Sequence, residues 1–304
     1  MSQVILITGA AGMMGSHLFE KLRESGNTVI ATYYNPTIDS RDPILQELTE
    51  ELNLLDSEAV KRCILKYKPR IIYHLAAQSR PDVSFKDPLL TMQTNVIGTI
   101  NLLNACIELE TLPKIINASS SAVYGDIDWS TPPNEEVTPR PLSPYGTSKL
   151  AQEHVVRNYH DMHGIPYVNV RIFNCTGPRK INDLISDLSR RVVNNELPIR
   201  IGNTSVKRTI VDVRDLVDGL ILCKNISNTT INLGSDTVYE VSDIINLILD
   251  GRPSITDESL FRPTDEKIIY GDISKAHSKL GWKAQITLKE TIQDSIKYWK
   301  DLKK

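Results

Sequence analysis

The sequence contains little cysteine: four residues in 304, Cys63, Cys106, Cys175 and Cys223, widely spaced and with no CxxC pair. Disulfide frameworks and zinc sites both depend on cysteines at short, paired spacings, so neither is expected. The aromatic content of 6% and the net charge of −2 give the chain no attraction for nucleic acid or for an anionic membrane. These absences favour an enzyme or binding protein for small molecules.

Long uncharged apolar runs are also missing, since none approaches the roughly 18 to 20 residues that a membrane helix requires. The first ten residues, MSQVILITGA, have no basic stretch before their apolar part, so they do not predict a signal peptide. We therefore expect a cytoplasmic protein with no membrane partner. A length of 304 residues suits one large domain or two closely joined ones.

Short apolar runs alternate with longer helical patterns in the first half of the chain. Strand patterns lie at 4–8, 28–32, 52–55, 70–75, 114–118 and 167–172, and helix patterns lie after the first strand and at 56–67, 91–109 and 143–163. Apolar strands separated by helices are typical of βαβ units and of a parallel sheet. Right-handed crossovers then place helices on both faces, which predicts a doubly wound α/β (Rossmann) fold.

The alternation loosens after Gly177-Pro178. Helix patterns lie at 182–195, 212–223, 241–249, 274–280 and 288–302, with an extended segment at 198–202. We expect residues 1–172 to form the Rossmann domain, with 204–230 returning to it. Residues 173–304 then form a smaller mixed α/β domain over the carboxyl edge of the sheet.

Three glycines with the spacing GxxGxxG, Gly9, Gly12 and Gly15, join the first strand to the first helix. Glycines allow a tight turn and a close approach of the backbone to a pyrophosphate. The helix start at Met13 and Met14 adds amide donors and a positive dipole. Ordinary turns also show this spacing, but its position on the first strand of a doubly wound sheet predicts a dinucleotide site.

The end of the second strand reads Thr32-Tyr33-Tyr34-Asn35, with neither an acid nor a cation. An acid at this point contacts the ribose of NAD, whereas a cation accommodates the 2′-phosphate of NADP. Because the acid is missing, we expect NADP as the cofactor, with NAD as the alternative.

A tyrosine and a lysine four residues apart, Tyr145 and Lys149 in YGTSK, share one face of the helix predicted at 143–163. A cation beside a phenol favours the phenolate. We therefore expect Lys149 to lower the pKa of Tyr145 toward neutrality, so that it can exchange a proton with an alcohol or ketone. A surface pair is the structural alternative. Upstream, Ser119, Ser120 and Ser121 end a strand, where their hydroxyls can hydrogen-bond the same substrate oxygen.

Seven segments together resemble the extended short-chain dehydrogenase/reductase family, also called the NAD-dependent epimerase/dehydratase family. They are TGAAGMMG (8–15), HLAA (74–77), TNVIGT (94–99), SSSAVYG (119–125), SPYGTSK (143–149), FNCTGPR (173–179) and VDVRDLV (211–217). The resemblance covers nearly the whole chain in the family's order. It implies an enzyme that binds NAD(P), converts a sugar nucleotide and forms a homodimer through a four-helix bundle, here from helices 91–109 and 143–163.

The resemblance also implies roles for individual residues. Those that would line the dinucleotide are Gly9, Gly12, Met13, Met14, Gly15, Asn53, Leu54, Leu75, Ala76, Ala77 and Asn95, with Tyr145 and Lys149 beside its nicotinamide end. Asn53 stands where many relatives have an aspartate that contacts adenine, so this chain departs from the family there. Ser120 takes the position of the catalytic Ser/Thr, Tyr145 that of the acid/base, and Lys149 that of the residue holding the nicotinamide ribose.

Substrate contacts follow from the same resemblance. The residues implied are Ser120, Ser121, Tyr145, Asn174, Arg179, Arg208 and Arg262, the arginines as binders of the nucleotide diphosphate. Guanidinium groups suit phosphate oxygens because their paired donors match two acceptors. Each arginine taken alone can equally be a solvated surface charge.

The position two residues after Ser120 bears on the reaction. Relatives that dehydrate the sugar have an acid there as a second proton shuttle, whereas this chain has Ala122, which disfavours a 4,6-dehydratase. A 4-ketoreductase needs only a proton from Tyr145 and polarisation by Ser120, and a 4-epimerase uses the same residues. All three remain alternatives at this stage, with the reductase favoured.

The C-terminal part favours reduction of a GDP-linked 4-keto-6-deoxy sugar. IRIGN (199–203), RPTD (262–265) and LGWK (280–283) resemble GDP-4-keto-6-deoxy-mannose reductases, although their usual RDF reads RTI at 208–210 here. A non-catalytic NAD(P)-binding sensor is the alternative of a different class, but the retained Tyr145 and Lys149 argue against it. His160 and His163 lack a third ligand, so we expect no metal.

Overall fold

Short strands and longer helices alternate along the chain, and the computed structural model describes residues 3–260 and 268–304. The strands are β1 (Val4–Thr8), β2 (Thr28–Tyr33), β3 (Glu50–Glu51), β4 (Ile71–His74), β5 (Lys114–Ser120), β6 (Tyr167–Ile172), β7 (Cys175–Thr176), β8 (Ile199–Ile201), β9 (Lys207–Thr209), β10 (Val211–Asp212), β11 (Thr229–Leu233), β12 (Val238–Glu240), β13 (Ser254–Thr256) and β14 (Ile268–Ile269). The helices are α1 (Met13–Glu24), α2 (Ser57–Tyr67), α3 (Pro81–Lys86), α4 (Pro88–Met92), α5 (Gly98–Cys106), α6 (Pro144–His163), α7 (Leu184–Val193), α8 (Val213–Leu222), α9 (Val241–Leu249), α10 (Ser274–Leu280) and α11 (Leu288–Asp301).

Seven of these strands form one parallel sheet in the order β11-β6-β5-β4-β1-β2-β3. From β1 the chain builds outward to β2 and β3 on one side, then crosses over to β4, β5, β6 and finally β11 on the other. The boundary between β1 and β4 is therefore the point where the strand order reverses, and ligands of open α/β sheets bind at such points. The predicted doubly wound parallel sheet is confirmed.

Both faces of the sheet are covered, which explains why its strands are continuously apolar. Ile5 and Ile7 of β1 belong to one buried cluster together with residues of α1 and α8. Leu6, between them, belongs to a second cluster with residues of α2, α5 and α6. Successive side chains of a strand alternate in direction, so a strand that is buried on both faces has apolar residues at every position.

Two side-chain caps confirm predicted helix starts. Asp56 accepts a hydrogen bond from Ala59 N at 2.9 Å and begins α2. Ser143 accepts one from Gly146 N at 3.0 Å and begins α6. Capping fixes the residue at which a helix begins. The cap at Ser143 thereby sets Tyr145 in the first turn of α6.

Two predicted elements differ from the structure. The strand expected at 52–55 is wrong, because β3 ends at Glu51 and the Asn53 side chain accepts from Leu55 N at 3.0 Å, which turns the chain toward α2. The helix expected at 91–109 begins earlier, as α4, and contains a wider π-helical segment at Gln93–Ile97 before α5. Such segments interrupt α-helices frequently at functional sites.

The second half of the chain is divided between the sheet and a smaller unit. Helix α8 packs on α1, and β11 extends the sheet beside β6. The segment that returns to the first unit therefore begins after β9 and ends at Leu233, so it differs from the predicted 204–230 at both ends. The smaller unit contains the three-stranded sheet β12-β9-β14 and the parallel pair β13–β8. Its core includes apolar residues of α7, α9 and α11.

Candidate active site

The turn between β1 and α1 has room only for glycine at two of its three glycine positions. A Cβ on Gly9, where φ is +75°, would lie 2.7 Å from Ala76 N. A Cβ on Gly15 would lie 2.2 Å from the carbonyl oxygen of Gly9. Both distances are far below van der Waals contact, so the absence of side chains lets the turn approach the loop after β4 and lets α1 pack on β1.

Gly12 has a different role at the start of α1. It occupies the N-cap position and leaves the first-turn amides of Met13 and Met14 without a side-chain cap. Thr37 N donates to Ala11 O at 3.0 Å, which holds the loop after β2 against the turn. Uncapped amides at a helix N-terminus form a site for a phosphate group. This arrangement fits the pyrophosphate of a dinucleotide.

The HLAA segment lies directly beside the glycine turn. Leu75 N donates to the carbonyl oxygen of Thr8 at 3.2 Å, and Ala76 N donates to Thr8 Oγ1, also at 3.2 Å. Ala77 follows at the mouth of the sheet, half-buried like Leu75 and Ala76. The two motifs, distant in sequence, therefore form one surface at the carboxyl edge.

Asn95 connects this surface to the helix that contains the tyrosine. Its side chain is fully buried, accepts from Gln78 N at 2.7 Å, and donates to the carbonyl oxygen of Gln78 at 3.0 Å and to Ser148 Oγ at 2.9 Å. Asn95 lies within the π-helical segment. These hydrogen bonds hold the loop after β4 against α6.

The two residues predicted at the adenine end, Asn53 and Leu54, lie in the turn after β3. Leu54 O accepts from Asn101 Nδ2 at 2.8 Å, and Leu54 Cβ lies 3.0 Å from where a Cβ on Gly98 would be. The Asn53 side-chain oxygen accepts from Leu55 N, so its amide nitrogen Nδ2 is the atom left to contact a base. The turn is thereby attached to α5 near Asn95.

Tyr145 and Ser120 meet where α6 begins and β5 ends. Tyr145 is 9% exposed, and the hydroxyl of Ser120 lies close enough to act on the pKa of its phenol. Ser120 Oγ also accepts from Ala122 N at 3.2 Å, which fixes it on the turn after β5. Burial raises the pKa of Tyr145, and the Ser120 hydroxyl opposes that rise.

Lys149 is buried one turn further along α6, at 3% exposure. Its Nζ donates to Gln152 Oε1 at 2.8 Å, and burial lowers its pKa to about 7, against the opposing charge of Glu153. The expectation that Lys149 lowers the pKa of Tyr145 is wrong for this structure. The ammonium group is held by Gln152, and desolvation of the buried phenol has the larger effect on the tyrosine.

The three consecutive serines do not act together. Ser119 points to the other side of β5 and donates to Glu153 Oε1, because successive side chains of a strand face opposite ways. Ser121 begins a short 3-10 turn and is half-buried. Of the three, Ser120 is the one whose side chain acts on the pKa of Tyr145.

On the substrate side, Asn174 follows β6 at the same edge. Ser120 is paired in register with Ile172, so Asn174 lies two residues beyond that pair. Its Nδ2 is buried and has no hydrogen-bond partner among the described residues.

Of the two other arginines expected on the substrate side, Arg208 lies on β9 and is half-buried, with Nη1 donating to Lys207 O at 2.7 Å. Arg262 lies outside the described residues.

Arg179 does not fit the role that the sequence suggested. Its Nε donates to Asp42 Oδ2 at 2.9 Å, and its two terminal nitrogens donate to the Glu20 carboxylate at 2.5 and 2.8 Å. The side chain is 13% exposed. A guanidinium whose donors are bound to two carboxylates is not free to bind a diphosphate, so we correct its assignment to a structural one.

Sequence reasoning missed four polar residues around this site: Gln152, Glu153, Ser148 and Arg171, all buried. Gln152 and Glu153 lie three and four residues after Lys149, on its face of α6. Polar residues at the buried positions of a helix are the signal that could have identified them. Arg171 on β6 gave no local signal, because its partner is 18 residues away.

Neither a metal-binding cluster nor a membrane-spanning helix is present among the described residues. No group of three or more His, Cys, Asp or Glu side chains there is arranged to hold a metal ion. No helix in the same part of the chain is long and apolar enough to cross a membrane.

Comparison with known proteins gives one family match over most of the chain. The family profile described as GDP-mannose 4,6 dehydratase matches residues 6–295. A Methanocaldococcus jannaschii protein named as a candidate UDP-glucose 4-epimerase is 31% identical over 98% of this chain and 99% of its own length. The GDP-6-deoxy-D-mannose reductase of Pseudomonas aeruginosa is 26% identical over 98% of both chains.

Solved structures with the same fold cover both chains almost completely. The UDP-glucose 4-epimerase of Thermotoga maritima, solved with UDP-glucose, superposes with a TM-score of 0.91 at 26% identity, over 99% of this chain and 100% of that one. The UDP-glucose 4-epimerase of Thermus thermophilus, in complex with NAD, gives 0.89 at 26%, over 98% and 99%. RMD from P. aeruginosa, complexed with NADPH, gives 0.85 at 25%, over 99% of each.

Proposed function

We propose that this chain, which belongs to the GDP-mannose 4,6 dehydratase family, reduces the C4 ketone of a nucleotide-linked 4-keto-6-deoxy sugar. The family consists of sugar-nucleotide epimerases, dehydratases and reductases that bind NAD(P). Within it, the chain is an extended short-chain dehydrogenase/reductase. A GDP-linked substrate is favoured by the C-terminal segments 199–203 and 280–283.

The observation on which this proposal depends is the state of Tyr145. Its phenol is buried beside Ser120, and desolvation raises its pKa. It is therefore protonated at neutral pH, which is the form that reduction of a ketone requires. A general acid must hold its proton until charge develops on the accepting oxygen.

The reaction divides between two side chains of this protein. A reduced nicotinamide, when bound, would supply the hydride for C4. Ser120 donates a hydrogen bond that polarises the C4 carbonyl, and Tyr145 transfers its phenolic proton to the C4 oxygen as the alcohol forms. The resulting phenolate is reprotonated from solvent, and Lys149 is proposed to hold the nicotinamide ribose. One ketone, one hydride and one proton give one alcohol.

Residues at the carboxyl edge support a nucleotide-linked substrate. The amide nitrogen of Asn174 is buried and unpartnered, and a substrate oxygen would satisfy it. We propose Asn174, Ser121, Arg208 and Arg262 as the residues on the substrate side, and Ser120 and Tyr145 as those at C4. Arg179 is left out, since Glu20 and Asp42 already bind it.

Dehydration is disfavoured by Ala122, which lies two residues after Ser120 and has no acid. Its main chain packs against α6, where its carbonyl oxygen would be 2.4 Å from a Cβ on Gly146. A 4-epimerase remains the second candidate. It is favoured by the 31% identical relative and by two of the structures compared above.

The choice of cofactor turns on the loop after β2. We propose NADP, with NAD as the alternative, because Thr32-Tyr33-Tyr34-Asn35 contains no acid for the ribose. Arg41, a cation later in this loop, is bound through two nitrogens to Asp39 at 2.9 Å each and donates to Leu302 O at 3.0 Å. A 2′-phosphate would have to compete with Asp39 for it. Measured affinities for NADPH and NADH decide between the cofactors.

A homodimer through α4, α5 and α6 is part of the proposal. Exposed apolar side chains occur in α3, α4 and the π-helical segment at Phe85, Leu89 and Ile97, which are 62%, 66% and 46% exposed. Apolar side chains grouped on one surface of a monomer are typical of an interface with another chain. In a two-fold symmetric dimer, the same surface of each copy would cover the other.

The decisive experiment mixes the protein with NADPH or NADH and with GDP-, UDP-, CDP- or dTDP-linked 4-keto-6-deoxy sugars. Loss of nicotinamide absorbance with a 4-hydroxy product supports the reductase. Interconversion of UDP-glucose and UDP-galactose without net absorbance change supports the epimerase instead. Binding of the dinucleotide, seen as a raised melting temperature, without turnover of any sugar nucleotide would indicate a sensor.

A further inference from the structure

A continuous line of buried hydrogen bonds connects Lys149 to the end of β1. Lys149 Nζ donates to Gln152 Oε1 at 2.8 Å, and Gln152 Nε2 donates to Thr99 Oγ1 at 2.9 Å. Thr99 Oγ1 is 2.9 Å from His74 Nε2, and His74 Nδ1 is 2.8 Å from Thr8 Oγ1. All five side chains are at most 3% exposed. We name this set, from Lys149 to Thr8, the buried chain.

The direction of each bond follows from counting hydrogens. The single hydroxyl hydrogen of Thr99 is donated to the carbonyl oxygen of Asn95 at 2.7 Å. Thr99 Oγ1 must therefore accept from both of its other neighbours, Gln152 and His74. It follows that His74 has its proton on Nε2, and that its Nδ1 accepts the hydroxyl hydrogen of Thr8.

The rest of the buried chain is consistent with this assignment. Burial, with the nearby charge of Lys149, lowers the pKa of His74 to about 3, so the ring is neutral and has one N–H. Thr8 Oγ1 uses its free lone pair to accept from Ala76 N at 3.2 Å. The hydroxyl hydrogens of Thr8 and Thr99 and the ring N–H of His74 each have one acceptor, so the orientation of each group is determined by the next.

The same count fixes the amide of Gln152. Only an N–H group can face Thr99, because Thr99 has no hydrogen left to donate in that direction. The carbonyl oxygen of the amide is consequently forced to face Lys149. A free glutamine could rotate its amide and present N–H groups to the ammonium, but this one cannot without breaking the buried chain.

We propose that Gln152 is a positioning residue for the proposed reaction: held by Thr99, its side-chain oxygen keeps the Lys149 ammonium charged and fixed on the Tyr145 face of α6. Gln152 touches neither Tyr145 nor the expected reacting atoms, so it acts through the lysine. The effect of Gln152 on catalysis rests on the proposed function. The placement of Lys149 by Gln152 does not depend on that function.

Other charged and titratable groups around Lys149 do not replace this oxygen. From α6, Glu153 acts on Lys149 at a distance, but its carboxylate is bound to Arg171 of β6 at 2.9 Å and to Ser119 of β5. From β4, His74 is neutral, and Tyr145 is protonated. Gln152 Oε1 is the hydrogen-bond acceptor for the ammonium among the described side chains.

The test measures Lys149 directly. In protein labelled with [13C]lysine, the side-chain carbon signal of Lys149 is assigned by its absence from Lys149→Met, and its pH titration gives the pKa. Gln152→Met removes the acceptor at nearly constant size. We expect the midpoint to fall by about one pH unit, because a hydrogen bond to the charged form is lost. Gln152→Glu should raise the midpoint, since it adds a negative charge.

A second variant tests the role of the buried chain and guards against a misfolded Gln152→Met. Thr99→Val does not alter any group that hydrogen-bonds Lys149, but it frees the Gln152 amide to rotate. We expect a smaller downward shift of the same midpoint. The proposal is overturned if Gln152→Met leaves the midpoint unchanged. If Gln152→Met does not fold, the proposal is overturned when the two single variants Gln152→Glu and Thr99→Val both leave the midpoint unchanged.

Catalysis supplies an independent measurement. Activity that depends on the charged lysine is present below its pKa and is lost as the pH rises through it. In Gln152→Met the basic limb of the kcat profile should therefore move to lower pH, with KM for the sugar nucleotide nearly unchanged. A merely structural role would lower kcat at every pH alike. If the protein turns over no sugar nucleotide, the proposed function fails, while the lysine titration still decides the role of Gln152.

Discussion

Glu153 and Arg171 form a buried, bidentate ion pair one turn after Lys149 on α6. The Nε and Nη2 atoms of Arg171 donate to the two carboxylate oxygens at 3.0 and 2.9 Å, and both side chains are 6% exposed. Arg171 also lies over the Tyr124 ring, with its central carbon 5.0 Å from the ring centre. The pair joins α6, which contains Tyr145 and Lys149, to β6.

Removing one charge of this pair should destabilise the protein strongly. Glu153→Gln keeps the shape but leaves the Arg171 guanidinium buried without its counter-charge, which typically costs about 3–5 kcal/mol of the free energy of unfolding. The double variant Glu153→Met/Arg171→Met should lose much less, because no charge is left unpaired. Urea unfolding measures both. Equal losses in the single and double variants would contradict this account.

Tyr145→Phe should abolish nearly all turnover and leave cofactor affinity intact. The substitution removes the only group proposed to protonate the C4 oxygen and changes no residue of the glycine turn. Turnover is followed by nicotinamide absorbance, and affinity by the quenching of protein fluorescence on titration with the dinucleotide. A variant that keeps the wild-type rate would show that the proposed mechanism is wrong.

Introducing an acid after the catalytic serine should not by itself produce a dehydratase. Ala122→Glu places a carboxylate two residues after Ser120, but the shuttle also needs the surrounding groups that align it with the leaving hydroxyl. The expected product from GDP-mannose contains no 4-keto-6-deoxy sugar, as read by mass spectrometry. Detection of that sugar with the unmodified protein would overturn the interpretation of Ala122.

A charge on the exposed face of the π-helical segment should separate the proposed dimer. Ile97→Asp buries a carboxylate in the expected interface, so we expect a monomer by light scattering at a concentration where the unmodified protein is dimeric. Leu197→Asp is the matched control, because Leu197 is similarly exposed (51%, against 46% for Ile97) but lies in the smaller unit. The same mass for Ile97→Asp and the unmodified protein would contradict the proposed interface.

Several site features could be predicted from sequence because they depend on residues close together in the chain. Gly9 and Gly15 were identified by a spacing that one strand–turn–helix imposes, and the structure shows the close approaches that require them. Tyr145 and Lys149 share a face because they are four residues apart on a helix. The strand expected at 52–55 was wrong because the Asn53 side chain turns the chain one residue after the buried Leu52.

The sequence by itself determined the alternation of strands and helices in the first half of the chain, the glycine turn, and the presence of a phenol and an ammonium on one helix face. Periodicity, caps and short spacings are local properties. Only the tertiary structure decided that Arg179 binds Glu20 and Asp42, and that Gln152 holds Lys149. Partners of this kind are brought together by the packing of distant segments, and the loss of solvent on burial then sets the pKa of each group. Neither effect is expressed in the spacing of residues along the chain.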